Sequence, residues 1–261
     1  MAAAYLGALF GLEGRVAVVI GAGGHLCSAL SRGLAGAGCT VALVDVRLEK
    51  AERIRDELLS DGFERVSAHG ADATSKTELE YVREAVLAEH GRVDVLVNGA
   101  GINDPTPVLD ITVDAWDAVM ASQVTATLLG SQVFGTTMLA QRAGSIINIS
   151  SASAGPPLSK AFAYSVAKAG IRNLTQNLAR EWATSGVRVN AIRPGFFPTE
   201  WNRKNFITPE RETAILGHTP MARYGDPGEL VGAAVWLASD AASFVTGAEI
   251  TVDGGFSCMT I

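Results

Sequence analysis

Tyr164 and Lys168, in the string YSVAK, are four residues apart. On a helix that spacing puts both side chains on one face. An ammonium beside a phenol stabilises the phenolate and lowers the phenol's pKa, which makes tyrosine usable as an acid/base near neutral pH. Taken alone, Y-x-x-x-K equally describes a helix surface with an exposed lysine and a half-buried tyrosine. Ser151 stands 13 residues before Tyr164, at the end of the apolar run SIINIS. A hydroxyl there can hold a substrate oxygen while the tyrosine moves a proton; the plainer reading is that Ser150 and Ser151 merely end a strand.

A second set of residues lies near the start of the chain, in VAVVIGAGGHLCSAL. The apolar run ends at Ile20 and is followed by Gly21, Gly23 and Gly24 before a helical pattern begins. Glycines permit a sharp turn and let backbone N–H groups approach a pyrophosphate at a helix N-terminus. A glycine-rich turn without a ligand has the same look, and the motif alone does not separate the two. Asp45 ends the next apolar run, VALVD, 24 residues after Gly21. An acidic side chain at about that distance suits the hydroxyls of an adenine ribose and repels a 2′-phosphate. It therefore favours NAD over NADP, with Arg47 slightly weakening the exclusion. The alternative role for Asp45 is to cap the helix that begins near Leu48.

These residues need a scaffold that brings distant segments to one edge. Short Val- and Ile-rich runs occupy 15–20, 40–45, 65–69, 93–98, 145–150, 187–192 and 249–253, separated by helical patterns. Such runs suit strands covered on both faces, and their alternation with helices predicts a parallel sheet with right-handed crossovers. A TIM barrel has similar length and alternation. The glycine loop after the first strand favours an open doubly wound sheet, which binds ligands at the carboxyl ends of its strands. No linker, charge block or internal repeat divides the 261 residues, so one domain is expected.

Composition narrows the partners. The chain is 48% hydrophobic and 18% charged with a net charge of -6, a soluble globular balance that argues against nucleic acid or an anionic membrane. Arg203-Lys204 is the most basic patch. The apolar N-terminus lacks a basic n-region, and no run is long enough to span a bilayer. The three cysteines, Cys27, Cys39 and Cys258, have no metal spacing; reduced thiols in a cytoplasmic protein are expected.

Taken together, IGAGGHLC, Asp45, ADAT, VNGAG (97–101), NISS (148–151), YSVAK, RVNAIRPG (188–195) and FVTGAEITVDGG resemble, in order and spacing, the short-chain dehydrogenases/reductases across essentially the whole chain. The resemblance implies a Rossmann-type sheet in the order 3-2-1-4-5-6-7, a homotetramer or homodimer, and hydride transfer between a carbinol carbon and nicotinamide C4. It makes Tyr164 the acid/base, Lys168 the ligand of the nicotinamide ribose, Ser151 the holder of the reacting oxygen and Gln123 a member of the proton relay. It assigns Gly21, Gly23, Gly24, His25, Leu26 and Asp45 to the cofactor, with Asp72 and Ala73 at the adenine. Asn98, Gly99 and Ala100 line it, and Pro194, Gly195, Phe197 and Thr199 hold the carboxamide side of the nicotinamide.

The chain departs from the family pattern in the loop, where Ile20 replaces Thr and His25 and Cys27 replace glycines. His25 either donates a hydrogen bond to phosphate or faces solvent, and a side chain at 27 is expected to loosen helix packing. Altered affinity, not lost binding, is expected. Gln123 replaces an Asn that acts largely through its main-chain carbonyl, which Gln also supplies.

The segment 196–218 sits where the family keeps a mobile substrate lid. Asn103, Ser153, Lys160, Trp201 and Arg203 are the substrate candidates. Arg and Lys beside an apolar wall suit an anionic substrate, or are ordinary surface charges of a solvated lid. KAFAYSVAK, PGFFPTEWNRK and the C-terminal strings look most like sugar-acid and polyol members, gluconate 5-dehydrogenase-like and mannonate oxidoreductase-like. The rival reading is a catalytically weak NAD(H)-binding sensor, suggested by the altered loop and Gln123. Ser165 and Lys168 also form S-x-x-K, but neither S-D-N nor K-T-G accompanies it, and no G-x-S-x-G is present.

Overall fold

The structure, a computed structural model, describes residues 2–199, 203–204 and 207–259. Seven strands form one sheet: β1 (Val16–Ile20), β2 (Thr40–Asp45), β3 (Val66–Gly70), β4 (Val95–Asn98), β5 (Gly144–Ile149), β6 (Val187–Pro194) and β7 (Glu249–Val252). Their order is β3-β2-β1-β4-β5-β6-β7, as expected, and each neighbouring pair is parallel. The helices are α1 (Ala2–Phe10), α2 (His25–Gly36), α3 (Leu48–Ser60), α4 (Lys76–His90), α5 (Val113–Met120), α6 (Ala126–Gln141), α7 (Phe162–Trp182), α8 (Pro209–Gly217) and α9 (Val231–Ala238).

Successive strand residues point to opposite faces of the sheet. In β1, Ala17 and Val19 join a core with Leu30, Leu34, Leu43, Ile147 and Leu237. Val16, Val18 and Ile20 join the other, with Leu96, Phe134, Met138 and Ile146. Both faces are therefore covered, which explains the unbroken apolar strand sequences. The entry to β1 is fixed by a carboxylate: Asp94 accepts from the Val16 N–H at 2.9 Å and from Arg92 at 2.8 and 2.6 Å.

Local signals set the helix ends. The Ser75 hydroxyl accepts from the Glu78 N–H at the start of α4, and Gly91 ends that helix with φ +72°. Thr112 caps α5 in the same way. Between α5 and α6 the chain passes through one π-helical stretch, Ala121–Thr125. The extra residue in that turn redirects the backbone, and Gln123 sits at its centre. Among the described residues no helix is long and apolar enough to cross a membrane.

Candidate active site

All the strand ends that carry candidate residues lie on the carboxyl edge of one sheet, because parallel strands share direction. Gly21 follows β1 with φ +81°, and a Cβ there would stand 2.8 Å from the Ala100 nitrogen. Only glycine lets the two turns approach so closely. A Cβ at Gly23 would meet the Asp45 Oδ2 at 2.9 Å, and instead the Gly23 N–H donates to that oxygen at 3.0 Å. Asp45 Oδ1 accepts from the Arg47 N–H at 3.0 Å. The carboxylate is thus aimed by two backbone donors. Gly24 is the N-cap of α2 and supplies no side-chain cap. The first-turn N–H groups of this 12-residue helix lack intrahelical partners and face a trough lined by all three glycines. That arrangement fits the pyrophosphate of a dinucleotide.

The trough has two connected parts. One, about 500 Å³, is lined by the glycines, Asp45, Asp72, Ala73, Gly99 and Ala100. The other, about 460 Å³, is lined by His25, Leu26, Asn103, Gln123, Ser151, Lys160, Tyr164, Lys168, Gly195 and Phe197. Gly24, Gly99, Gly101 and Ile102 border both.

In the second part, Tyr164 and Lys168 project from the first half of α7. Lys168 is buried, donates to the Ile149 carbonyl at 2.6 Å, and stands over the Tyr164 ring, 5.3 Å from its centroid. The Ser151 hydroxyl is hydrogen-bonded to the Tyr164 phenol. Ser151 also accepts from the Ser153 N–H at 3.2 Å and the Ser153 hydroxyl at 3.1 Å. Three groups, one from the chain just after β5 and two from α7, therefore converge on one spot.

The electrostatics differ from the sequence expectation. Burial pulls the Lys168 ammonium from 10.5 down to about 8. Burial also pushes the Tyr164 phenol up, with the Ser151 hydrogen bond partly opposing it. The spacing had predicted a lowered phenol. Removal of water from the phenol outweighs the Ser151 contribution, and the ammonium is directed to the Ile149 carbonyl.

Several predicted residues have further partners in the structure. Asn98 turns its amide inward, donating to Ser131 at 3.2 Å and Asn148 at 2.9 Å, and Asn148 donates onward to Thr175 at 2.9 Å. Asp72 accepts from the Thr74 N–H and hydroxyl at 2.8 and 2.7 Å. Pro194 ends β6 and is buried, and the Thr199 carbonyl accepts from the Arg203 N–H at 3.0 Å. The Arg203 guanidinium stacks on Tyr224 at 4.9 Å. Trp201 lies outside the described residues. Lys160 is exposed with φ +59°, and its carbonyl accepts from Asn103 at 3.1 Å. The Gln123 carbonyl, expected to serve a relay, accepts from the Thr127 hydroxyl at 2.7 Å. Its side-chain Nε2 donates to the Ile102 carbonyl at 2.9 Å.

Arg211 was not legible as a site residue. It projects from α8 and donates to the Ser159 hydroxyl and carbonyl at 2.8 and 3.2 Å, bridging α8 to the loop before α7. It lines the second part of the trough with Ile207 and Ile215. No motif marks it; only a lid position in the chain pointed toward this stretch.

The two loop substitutions are accommodated differently. His25 is exposed at the first position of α2 and lines the trough. Cys27 is 3% exposed and packed in the core, so α2 is not loosened. A Cβ on Gly99 would stand 2.1 Å from its sulfur; the thiol fills space that Gly99 leaves. Burial pushes this thiol up to about 12, so it is an inert filler. Among the described residues no cluster of His, Cys, Asp or Glu could hold a metal.

A family model described as enoyl-(acyl carrier protein) reductase matches residues 22–257. The D-threitol dehydrogenase of Mycolicibacterium smegmatis is 36% identical over 249 residues, covering 95% of each chain. A gluconate 5-dehydrogenase from Burkholderia cenocepacia, solved with NADP and tartrate, superposes with TM-score 0.92 at 32% identity, covering 97% of this chain and 99% of the other. A provisionally assigned D-mannonate oxidoreductase from Haemophilus influenza, solved with NAD, gives 0.90 at 34% identity, covering 96% and 97%.

The packing around Cys27 yields a paired prediction. Gly99→Ala should lower stability by about 1–3 kcal/mol through overpacking and weaken NADH binding. Adding Cys27→Gly should restore most of both. Thermal melts and NADH fluorescence titration check this; no rescue by the second change would contradict the steric account.

Proposed function

The chain belongs to the short-chain dehydrogenase/reductase family, and from that premise we propose an NAD-preferring dehydrogenase acting on a secondary alcohol of a sugar, sugar acid or related polyol. The observation that carries the proposal is the convergence of the Ser151 hydroxyl, the Tyr164 phenol and the Lys168 ammonium beside a glycine-lined trough. Bound in that trough, nicotinamide supplies a hydride acceptor or donor. The remaining work is proton handling and orientation. Ser151 donates to the carbinol or carbonyl oxygen and holds it against Tyr164. Tyr164 takes the hydroxyl proton during oxidation and returns it during reduction. Lys168 keeps positive charge beside the developing phenolate, in a site where burial strengthens the interaction, and its remaining donors suit a ribose diol.

Burial sets both shifts, raising the phenol and lowering the lysine. Substrate oxygen and ribose hydroxyls add hydrogen bonds to the charged forms of both groups, which moves each toward its working state.

Asp45 supports the preference for NAD. Its oxygens are already oriented by the Gly23 and Arg47 N–H groups and retain acceptor capacity for two hydroxyls. A 2′-phosphate would meet like charge there. The solved neighbours bind either cofactor, NADP in one case and NAD in another, so this residue is the feature that bears on the choice. Arg211 and Lys160 border the reacting end; cationic groups there suit a carboxylate-bearing substrate. The relatives named for D-threitol and gluconate support this chemical class.

The direct test follows absorbance of reduced cofactor with NAD and NADP over a panel of tetritols, hexitols and aldonic acids. Turnover on at least one, faster with NAD, is expected. Tyr164→Phe should reduce kcat by about 10²-fold or more, in the range for loss of a general acid/base, while NADH binding is retained. NADH binding without turnover of any alcohol by the wild-type chain would instead favour a sensor. Asp45→Ala should shift the kcat/KM ratio toward NADP by about tenfold, one unit of a charge-dependent discrimination near 1.4 kcal/mol; an unchanged ratio would refute the ribose role.

A further inference from the structure

Ser151 lies beyond the end of β5, where the sheet ladder no longer holds the chain. The last backbone tie is the Ser150 N–H to the Ile192 carbonyl at 2.8 Å. What holds the next residues is a side-chain junction below the trough. The Ser150 hydroxyl donates to Glu249 Oε1 at 2.6 Å. Glu249 Oε2 pairs with the Arg193 guanidinium at 3.5 Å, and these side chains are only 13% and 11% exposed. Arg193 Nη2 reaches the Ala152 carbonyl at 3.0 Å, over a backbone in which a Cβ at Gly155 would stand 2.3 Å from the guanidinium. The same Glu249 oxygen also pairs with Arg172 at 3.6 Å. Arg172 lies one turn after Lys168 on α7, hence on the same face.

One carboxylate on β7 thus connects the residues on both sides of Ser151 to the helix bearing Tyr164 and Lys168. We propose that Glu249 is a positioning residue, which through Ser150, Arg193 and Arg172 fixes the Ser151 turn against α7 and sets the approach of the serine hydroxyl to the phenol. The inference rests on the reading of Ser151, Tyr164 and Lys168 given above.

The physical grounds are threefold. A largely buried carboxylate and guanidinium are costly to keep unless paired and hydrogen-bonded, so the junction has a defined geometry. Its three spokes reach Ser150 just after β5, Arg193 on β6 and Arg172 on α7, and the first two hold the residues flanking one reacting side chain. Small displacements of a reacting group are expensive: about 1 Å can cost about 10²-fold in rate.

The test compares Glu249→Gln, which keeps an acceptor for Ser150 but removes the charge, with Ser150→Ala, which keeps the charge pairs but cuts the spoke to the chain just after β5. Each should lower kcat about tenfold, with substrate KM and NADH Kd within about twofold of wild type. The double variant should be no slower than the slower single, because both act along one path. A second readout is the pH profile. The Ser151 hydrogen bond holds the phenol down; loosening it lets the phenol's pKa rise, so the rising limb of kcat for oxidation should move to higher pH.

Unchanged kcat and an unmoved limb in folded variants would overturn the proposal. So would kcat, KM and NADH affinity worsening together in step with the melting temperature, the mark of a simple brace of the sheet. Where Glu249→Gln fails to fold, Ser150→Ala carries the test alone. Wild-type chain without turnover on any alcohol would overturn the functional reading instead.

Discussion

The hydrogen bond from the Lys168 ammonium to the Ile149 carbonyl, 2.6 Å long and buried, is the interaction on which the rest of the site depends. It ties the first half of α7 to the last residue of β5. By doing so it brings a helix residue, Tyr164, to the second side chain beyond the strand, Ser151. The cost is an ammonium taken out of water, expressed in its fall to about 8. Such a cost is borne at functional sites more readily than in an ordinary core. The carboxylate junction with Glu249 at its centre reaches the same helix through Arg172 and the chain after β5 through Ser150.

The glycine turn shows how a departure from a family pattern is absorbed. A side chain at position 27 had been expected to loosen α2. Instead the sulfur occupies the space above Gly99, at the end of the neighbouring strand. The volume is exchanged between two positions that are 72 residues apart in the chain and adjacent only after β1 and β4 pair. His25 is exposed and intrudes on neither core. The cradle of backbone donors at the start of α2 is kept, which is what a pyrophosphate requires.

Much of this architecture was legible in the chain. The Val- and Ile-rich runs marked all seven strands because both sheet faces are covered, and the Tyr164–Lys168 spacing placed two groups on one face by helical geometry alone. Edges moved by a residue or two: the run at 93–98 opens as a strand only at Val95, and β6 continues to Pro194. Helix α1 and the π-helical turn at Gln123 went unread, since neither has a distinctive composition. The properties that depend on tertiary surroundings were also hidden. The rise of the phenol follows from burial by segments distant in sequence. The inward turn of Asn98 follows from the polar partners offered by Asn148 and Ser131. Glu249 and Arg193 belong to different strings and meet only because β6 and β7 are neighbours, while Arg211 comes from a stretch with no periodic signal.

The central claim is that a hydride passes directly between substrate carbon and cofactor while Tyr164 handles only the proton. The most direct measurement is oxidation, with NAD, of an accepted alcohol carrying deuterium on its carbinol carbon. The label is expected on C4 of the nicotinamide, with none lost to water. Label released into solvent, or reduced cofactor that carries protium from water, would contradict it.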